Sequence, residues 1–161
     1  MSQSSTAEII PAPTGLRLKM GGRFGGVDAQ AVARAEAALK SLSSQFGQWL
    51  QDEIDKIDSA RAAVRAEGWT VATAEAVYFR AHDLKGLGTT YEFPLVTRIA
   101  GSLCRLLDDG DRRLQAPLFL IDAHIDAIKA AVRDNIRDAE HPVGRALVTE
   151  LEGRVATQLA A

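Results

Sequence analysis

Apolar residues recur every three or four positions along most of the chain, and this spacing restricts the fold more than any other feature. The clearest apolar stripe follows Pro117. Its members are Leu118, Ile121, Ile125, Ile128, Val132 and Ile136. A period of 3.6 residues places such a stripe on one face of an α-helix, whereas a half-buried strand alternates at every second residue. No stretch shows a strand pattern of comparable strength, so the sequence predicts an all-α protein.

Glycine, proline and aspartate residues divide the helical pattern into segments. An alanine-rich segment runs from Asp28, a favourable N-cap, to Gly68, a typical residue just past a helix end. It is a helix in one piece or two, because Ser43, Ser44 and Gly47 form its weakest point. The other predicted helices cover about 70–91, 94–109, 117–138 and 142–160.

Short connections between helices of similar length favour antiparallel neighbours. The predicted fold is therefore an antiparallel up-and-down four-helix bundle with an additional N-terminal and C-terminal helix. Residues 1–27 contain two prolines in Pro-Ala-Pro and two glycine pairs, and we expect a flexible arm there. Residues 28–161 would form a single helical domain, with the bundle core at about 44–138.

Composition excludes several classes of function. A formal net charge of −2 over 161 residues gives no overall electrostatic footprint for nucleic acid. The single cysteine, Cys104, excludes an internal disulfide, and we expect it to be a small packing residue rather than a redox switch. The N-terminus does not resemble a signal peptide, and no apolar run approaches the roughly 20 residues that span a bilayer. We expect a cytoplasmic protein that neither enters a membrane nor binds nucleic acid.

The predicted 70–91 helix exposes a histidine, His82. Its inward stripe consists of Val77, Ala81, Leu84, Gly88 and Tyr91. Its outward stripe consists of Glu75, Tyr78, His82, Lys85, Gly86 and Thr89. A glycine inside a helix costs about 1 kcal/mol relative to alanine, so Gly86 beside an exposed imidazole suggests that a large partner must come close.

An exposed histidine has four possible roles: phosphate acceptor, general base, metal ligand or a merely solvated residue. A general base needs a cleft and an orienting residue, and no companion serine or cysteine motif is present. A metal site needs further ligands in register, but His124 and His141 lie in other segments. We expect those two histidines at the surface or at helix ends. A phosphate acceptor needs only exposure and nearby positive charge, which Lys85 provides.

The hexapeptide Ala-His-Asp-Leu-Lys-Gly at positions 81–86 resembles the A-H-x-L-K-G signature of histidine-containing phosphotransfer (HPt) domains. Positions 103–107 are similar to the second-helix segment of the same family, whose fold is a four-helix bundle. The resemblance implies that His82 is phosphorylated and that Lys85 steadies the phosphoryl group. Gly86 would then be the gap through which a receiver domain approaches.

One position departs from the family pattern. Many HPt domains have a glycine ten residues after the histidine, at the bend into the next helix, whereas this chain has Glu92 there. We expect Pro94 to make the bend instead.

The resemblance also implies partners. His82 would accept a phosphoryl group from a receiver-domain aspartate and pass it to the aspartate of another receiver, including receivers of hybrid histidine kinases. The receiver would supply magnesium, so we expect no cofactor, no metal and no kinase activity of the protein's own, and a monomer suffices. The candidate docking residues are Glu75, Tyr78, Phe79, Thr89 and Arg98. For Tyr78 and Phe79, partial packing against a neighbouring helix is an equal alternative.

Two other functions compete with a carrier. A non-transferring adaptor could bind a receiver through the same face without being phosphorylated, and an unrelated all-α interaction module would use neither His82 nor Lys85. The intact His82 and Lys85 favour the carrier. The sequence does not identify the kinase, the receivers, the direction of transfer or the output of the pathway.

Overall fold

The computed structural model describes residues 28–161, and the arm predicted over residues 1–27 lies outside that range. The described part contains helices, turns and short loops, with no β-strand. The helices are α1 (Ala29–Glu67), α2 (Val71–Leu87), α3 (Pro94–Leu107), α4 (Gly110–Arg113), α5 (Leu118–Arg133) and α6 (Pro142–Ala160). The predicted all-α class is therefore confirmed for the described residues.

Residues 40–161 make up one compact unit, and the described residues before Lys40 belong to another. The hydrophobic core of the larger unit draws on α1, α2, α3, α5 and α6. Its fully buried side chains include Leu50, Ile57, Leu84, Leu103, Leu107, Ile125 and Ile128. Across residues 28–161, no helix combines the length and the apolar character that a bilayer crossing requires.

The helix α1 is continuous, so Ser43, Ser44 and Gly47 do not interrupt it. An exposed glycine costs a helix only about 1 kcal/mol relative to alanine, and the surrounding sequence favours helix enough to absorb that cost. The buried residues of α1 are Leu50, Ile54, Ile57 and Arg61. The exposed apolar residues nearer its N-terminus are Val32, Leu39 and Leu42. Burial of apolar side chains on α1 therefore begins at Leu50.

Local sequence determines both ends of α2. The Thr70 hydroxyl accepts a hydrogen bond from the Thr73 N–H at 3.3 Å, and the Thr73 hydroxyl accepts one from the Thr70 N–H at 2.9 Å. This reciprocal pair satisfies two backbone donors at the start of the helix. Just before it, Gly68 ends α1 with a left-handed φ of 87°, as predicted. The far end comes earlier than predicted, since α2 stops at Leu87 and residues 88–92 form turns.

The helices α2 and α3 form an antiparallel pair. At the end of α2, a Cβ on Gly88 would lie 2.6 Å from the backbone nitrogen of Thr97, near the start of α3. Near the start of α2, the Tyr78 hydroxyl donates a hydrogen bond to Asp108, just past the end of α3, at 3.0 Å. The end of α2 therefore lies beside the start of α3, and an earlier part of α2 lies beside the end of α3. The predicted antiparallel hairpin is therefore present.

The bend into α3 differs from the prediction. We expected Pro94 to make it, but Glu92 adopts the left-handed φ of 66°, and Pro94 occupies the first turn of α3. A left-handed conformation costs roughly 1–2 kcal/mol for a residue with a Cβ. Two hydrogen bonds hold the bend: the Phe93 N–H donates to the Gly88 carbonyl oxygen at 2.8 Å, and Arg137 donates to the Glu92 carboxylate at 3.0 Å.

The helix α3 is central, because it packs against α2, α5 and α6. Its predicted apolar face is confirmed by burial. The buried residues on that face are Val96, Ile99, Ala100, Leu103 and Leu107. The stretch after α3 was predicted only as a break, yet it contains α4, whose first turn is capped by the Asp109 carboxylate. The next predicted helix also ends sooner, because Asn135 has a left-handed φ of 54° soon after α5.

The two histidines outside α2 have different environments. His124 is fully buried, which makes the predicted surface position wrong. Its Nδ1 lies 2.7 Å from the Leu120 carbonyl oxygen, and its Nε2 lies 3.0 Å from the Ser102 hydroxyl. Because a carbonyl only accepts, Nδ1 carries the proton and the Ser102 hydroxyl donates to Nε2. His141 has the predicted helix-end role, since its Nδ1 accepts the Val143 N–H at the start of α6.

Burial lowers the pKa of His124 below its usual value of 6.5. The unfolded chain therefore takes up a proton near pH 6.5 that the folded protein does not. We expect the free energy of unfolding, measured by urea titration, to fall as the pH drops from 6.5 towards 5, by up to about 1.4 kcal/mol per pH unit. Carboxylates such as Asp58, whose pKa is lowered mainly by its hydrogen bond from Lys129, lose stabilisation only at more acidic pH.

A His124→Gln variant separates this effect from other titrations. The amide retains a donor and an acceptor but takes up no proton in this range, so the slope between pH 6.5 and 5 should disappear, whatever the variant's overall stability. His82→Gln, a matched change at an exposed histidine, should retain the slope. If the slope persists in His124→Gln, another group causes it.

A buried arginine joins α1 to α5. Arg61 is 8% exposed and donates hydrogen bonds to Asp58 at 2.5 Å and to Asp126 at 2.6 Å. Lys129 donates to the other oxygen of Asp58 at 2.7 Å. The carboxylates of Asp58 and Asp126 are partly exposed, so solvent screens these pairs, but the bonds satisfy the buried guanidinium in one register of α1 against α5. Asp58 pairs with Lys129 and the later Arg61 pairs with the earlier Asp126, so α1 and α5 are antiparallel.

The helix α6 packs alongside α3. A Cβ on Gly144 would lie 3.2 Å from the Leu95 side chain and would overlap the carbonyl oxygen of Asp138. Further along, Arg98 donates two hydrogen bonds to Glu152 at 2.9 and 3.0 Å. Along these contacts the residue numbers of both helices increase in the same direction, so α6 runs parallel to α3. The predicted C-terminal helix is present.

Candidate functional site

His82 lies on the exposed face of α2, together with Lys85 and Gly86. The opposite face is anchored in the core. Its fully buried side chains include Val77, Ala81 and Leu84. The orientation of His82 predicted from helical spacing is therefore confirmed, because burial of one face forces the other outward.

Gly86 leaves open space next to His82. A Cβ at this position would have no atom within 4 Å apart from the local helix backbone, so packing does not require glycine here. Gly88 is the opposite case, because a Cβ there would lie 2.6 Å from the backbone nitrogen of Thr97 and 3.0 Å from the carbonyl oxygen of Phe93. Packing therefore requires glycine at position 88 but not at position 86.

The side chain of Lys85 rests against α3. Its Cγ and Cδ atoms lie 4.0 Å from where a Cβ on Gly101 would be, so the bare backbone of Gly101 faces the lysine stem. The nearby thiol of Cys104 is buried, as predicted for a packing residue. Burial raises the pKa of Cys104 to about 11, against a smaller opposing effect of the Lys85 charge. Lys85 therefore presents its charge at the junction of α2 and α3, one helical turn from His82.

Tyr78 borders His82, with 6.3 Å between the ring centroids. Its hydroxyl donates to Asp108 at 3.0 Å, and this hydrogen bond raises the pKa of Tyr78. The guanidinium carbon of Arg113 lies 4.4 Å from the centre of the Tyr78 ring. Tyr78 is half-buried, so the packing alternative accounts for part of this ring.

The remaining candidates on and after α2 are exposed. Phe79 is 59% exposed and meets the Tyr78 ring edge-on at 5.8 Å, so the larger part of its ring is left uncovered by residues 28–161. Glu75 lies on the same helix and is exposed. Thr89 follows the end of α2, where its hydroxyl hydrogen-bonds to that of Thr97 at 3.0 Å. These residues leave an open surface on the His82 side of α2.

Arg98 is bound to α6 rather than to the residues around His82. Its two hydrogen bonds to Glu152 are bidentate, and its side chain remains 51% exposed. The bond from Arg98 also lowers the pKa of Glu152. If Arg98 binds a partner, either its pair with Glu152 opens or the partner contacts both side chains of the pair.

Sequence reasoning missed three residues beside the site. They are Asp108, Arg113 and Gly101, and none of them is among the predicted site residues. The relevant signal is the register of the α2–α3 pair, because that register brings Asp108 level with Tyr78. Periodicity identifies which face of each helix is apolar, but it does not give the register between two helices.

His82 lies outside two surface grooves formed by residues 28–161. These grooves, of about 510 and 340 Å³, lie between α5 and α6 and beside Trp49 and Tyr91. Within residues 28–161, no three histidine, cysteine, aspartate or glutamate side chains come together as a metal site.

The site thus consists of an exposed imidazole, a lysine one helical turn away and an open glycine position. Two aromatic rings border it: the ring of Tyr78, which Asp108 and Arg113 contact, and the largely exposed ring of Phe79. All of these features depend on the anchoring of α2 in the core. Comparison of the chain with protein-family models, curated proteins and solved structures finds no match.

Proposed function

We propose that this protein is a phosphorelay carrier of the HPt type. His82 accepts a phosphoryl group from the aspartate of one receiver domain and passes it to the aspartate of another. The observation that carries the proposal is the joint exposure of His82, Lys85 and Gly86 in a hexapeptide whose inward residues, Ala81 and Leu84, are fully buried. Each position of the HPt-like sequence thus has the environment that its proposed role requires.

The proposed reaction exchanges one phosphoryl linkage for another. The unprotonated ring nitrogen of His82 attacks the phosphorus of an aspartyl phosphate on the receiver. A nitrogen–phosphorus bond forms as the bond from phosphorus to the carboxylate oxygen breaks, and the carboxylate leaves with that electron pair. The ring then releases its N–H proton to water. Attack by a second receiver's aspartate reverses these steps, and the receiver supplies the magnesium ion.

Lys85 and Gly86 assist by charge and by access. A positive charge about 6 Å from a unit negative charge contributes roughly 0.7 kcal/mol in water, and the phosphoryl group carries nearly two such charges. Gly86 allows the receiver to approach, since no side chain among residues 28–161 occupies the space above it. Phosphoryl transfer depends mainly on such positioning and charge stabilisation.

A four-helix bundle is part of the proposal, formed by α1 from Lys40 onward together with α2, α3 and α5. The antiparallel pairs α1–α5 and α2–α3 support it, as does the hydrogen bond between Ser102 of α3 and His124 of α5. Glu92 supports it further, because its left-handed φ of 66° occurs where HPt domains have glycine. The departure in residue type therefore keeps a backbone conformation that glycine adopts easily.

The proposed docking face surrounds His82 on α2. It includes Tyr78, Phe79, Glu75 and Thr89, with Arg98 at its edge if the pair with Glu152 opens. Aromatic and arginine residues are enriched at the centres of protein interfaces, which fits Tyr78 and Phe79. A monomer in the cytoplasm, where receiver domains act, completes the proposal.

The experiment that tests the proposal starts from a receiver domain of the same organism carrying a radiolabelled aspartyl phosphate. Mixed with this protein, the receiver should lose label while the protein gains it within minutes. The label on the protein should be lost in acid and retained in alkali, as for a phosphoramidate. Absence of label on the protein across the organism's receivers, or label that withstands acid, would contradict the proposal.

A second candidate is an adaptor that binds a receiver without accepting phosphate. The exposed ring of Phe79 beside a fixed Tyr78 favours it, because such a surface can bind a partner whether or not His82 reacts. Calorimetric titration against the same receiver distinguishes the two. Saturable binding without transfer of label would establish the adaptor, whereas transfer excludes it.

A further inference from the structure

Arg113, at the end of the one-turn helix α4, is held by two hydrogen bonds. Its Nε donates to the Leu107 carbonyl oxygen at 2.6 Å, and its own carbonyl oxygen accepts from the Trp69 indole N–H at 3.2 Å. The first bond ties the side chain to the end of α3, and the second ties the backbone to the segment before α2. The guanidinium is thereby kept 4.4 Å from the centre of the Tyr78 ring.

Asp108 holds the other end of the same ring, because it accepts the Tyr78 hydroxyl at 3.0 Å. A cation over the ring face and an acceptor at the hydroxyl together restrict both side-chain torsions of Tyr78. The ring lies 6.3 Å from that of His82 and 5.8 Å from that of Phe79. An aromatic side chain beside the histidine is therefore ordered by residues from the α3–α4 segment.

We propose that Arg113 and Asp108 are positioning residues for receiver docking, acting through Tyr78. They hold the ring in one orientation, so the receiver meets a preformed aromatic edge and does not have to order it. Ordering of side chains is one of the costs of association, and removing it in advance tightens binding. This inference rests on the proposed function, since the receiver is the partner concerned.

The test compares neighbouring arginines in the label-transfer reaction. Arg113→Gln removes the stacked guanidinium, and we expect the receiver concentration for half-maximal transfer to rise about three- to tenfold, with the rate at saturation changed less than about twofold. Arg112→Gln is the matched control, because Arg112 is exposed and its side chain donates to the Leu159 carbonyl oxygen at 3.3 Å, away from the Tyr78 ring. It should leave both quantities unchanged.

Two further variants separate positioning from charge and from loss of fold. Arg113→Lys keeps the charge but not the planar stack or the Nε hydrogen bond, so it should behave like Arg113→Gln. Tyr78→Phe keeps the ring but loses the bond to Asp108, and it should give a smaller rise. Aromatic NMR spectra of the free protein should show the Tyr78 ring more mobile in Arg113→Gln while the core resonances stay in place.

Each result decides the inference. An unchanged half-maximal concentration in Arg113→Gln, full rescue by Arg113→Lys, or an equal rise in Arg112→Gln overturns it while leaving the proposed function intact. A wild-type protein that takes up no label from any receiver overturns the proposed function, and this inference with it. A rise confined to the Arg113 and Tyr78 variants, with an ordered core, supports it.

Discussion

A His82→Gln variant is expected to take up no label from a phosphorylated receiver, a loss of roughly a hundredfold or more, limited by background. Glutamine has no nucleophilic ring nitrogen, so the covalent step has no acceptor. The side chain at this position is exposed, and glutamine favours helix at least as well as histidine, so the fold should not change. The measurement is the initial rate of label transfer, with circular dichroism and the unfolding midpoint compared with those of the wild type.

Two controls sharpen this result. His141→Asn changes another exposed histidine and keeps a good N-cap for α6, so it should label normally. Lys85→Gln removes a nearby charge but leaves the acceptor, and it should slow transfer about three- to tenfold without abolishing it. Equal labelling of His82→Gln and the wild type would place the acceptor elsewhere and end the proposal for this site.

The second large effect concerns stability. Gly88→Ala should lower the free energy of unfolding by about 1–3 kcal/mol or more, because the new Cβ would lie 2.6 Å from a backbone nitrogen of α3. No side-chain rotation relieves a clash with backbone, so the end of α2 and the start of α3 must move apart. Urea unfolding followed by circular dichroism measures the loss.

Gly86→Ala is the matched control, two residues away, and its effect should have the opposite sign. Its Cβ meets nothing within 4 Å, so the higher helix propensity of alanine should raise stability by about 0.5–1 kcal/mol. A bulkier Gly86→Leu variant should stay folded but transfer label more slowly, because the side chain would obstruct the receiver. Destabilisation by Gly86→Ala would show that this glycine serves the fold, and unchanged transfer by Gly86→Leu would remove its proposed role in access.

Periodicity predicted what one helix determines alone. The inward face of α2 and the apolar face of α3 are buried where the three- and four-residue spacing placed them, and Gly68 ends α1 with the expected left-handed φ. His82 is exposed for the same reason, since its position relative to Ala81 and Leu84 follows from helix geometry. Helix geometry is sufficient to say which residues share a face, and Gly68 needs only its own backbone to end α1.

Predictions that required one helix to be placed against another were less successful. His124 has polar character, and only the packing of α5 on α3 brings Ser102 to its ring and allows it to be buried. Val32 is apolar yet 38% exposed, because spacing marks an apolar face without showing whether anything covers it. Pro94 was expected to make a bend that Glu92 makes, since contacts with Arg137 and the preceding turn favour that backbone.

The sequence by itself determined the five longer helices to within a few residues at their ends, the outward direction of His82, and the presence of Lys85 and Gly86 beside it, because all of these depend on spacing along one helix. Only the tertiary structure decided which residues from other helices surround that histidine. Asp108 and Arg113 reach Tyr78, and Gly101 faces Lys85, through the register of α2 against α3 and the position of α4. That register arises from contacts between residues distant in sequence, such as Gly88 with Thr97, and no local pattern encodes it.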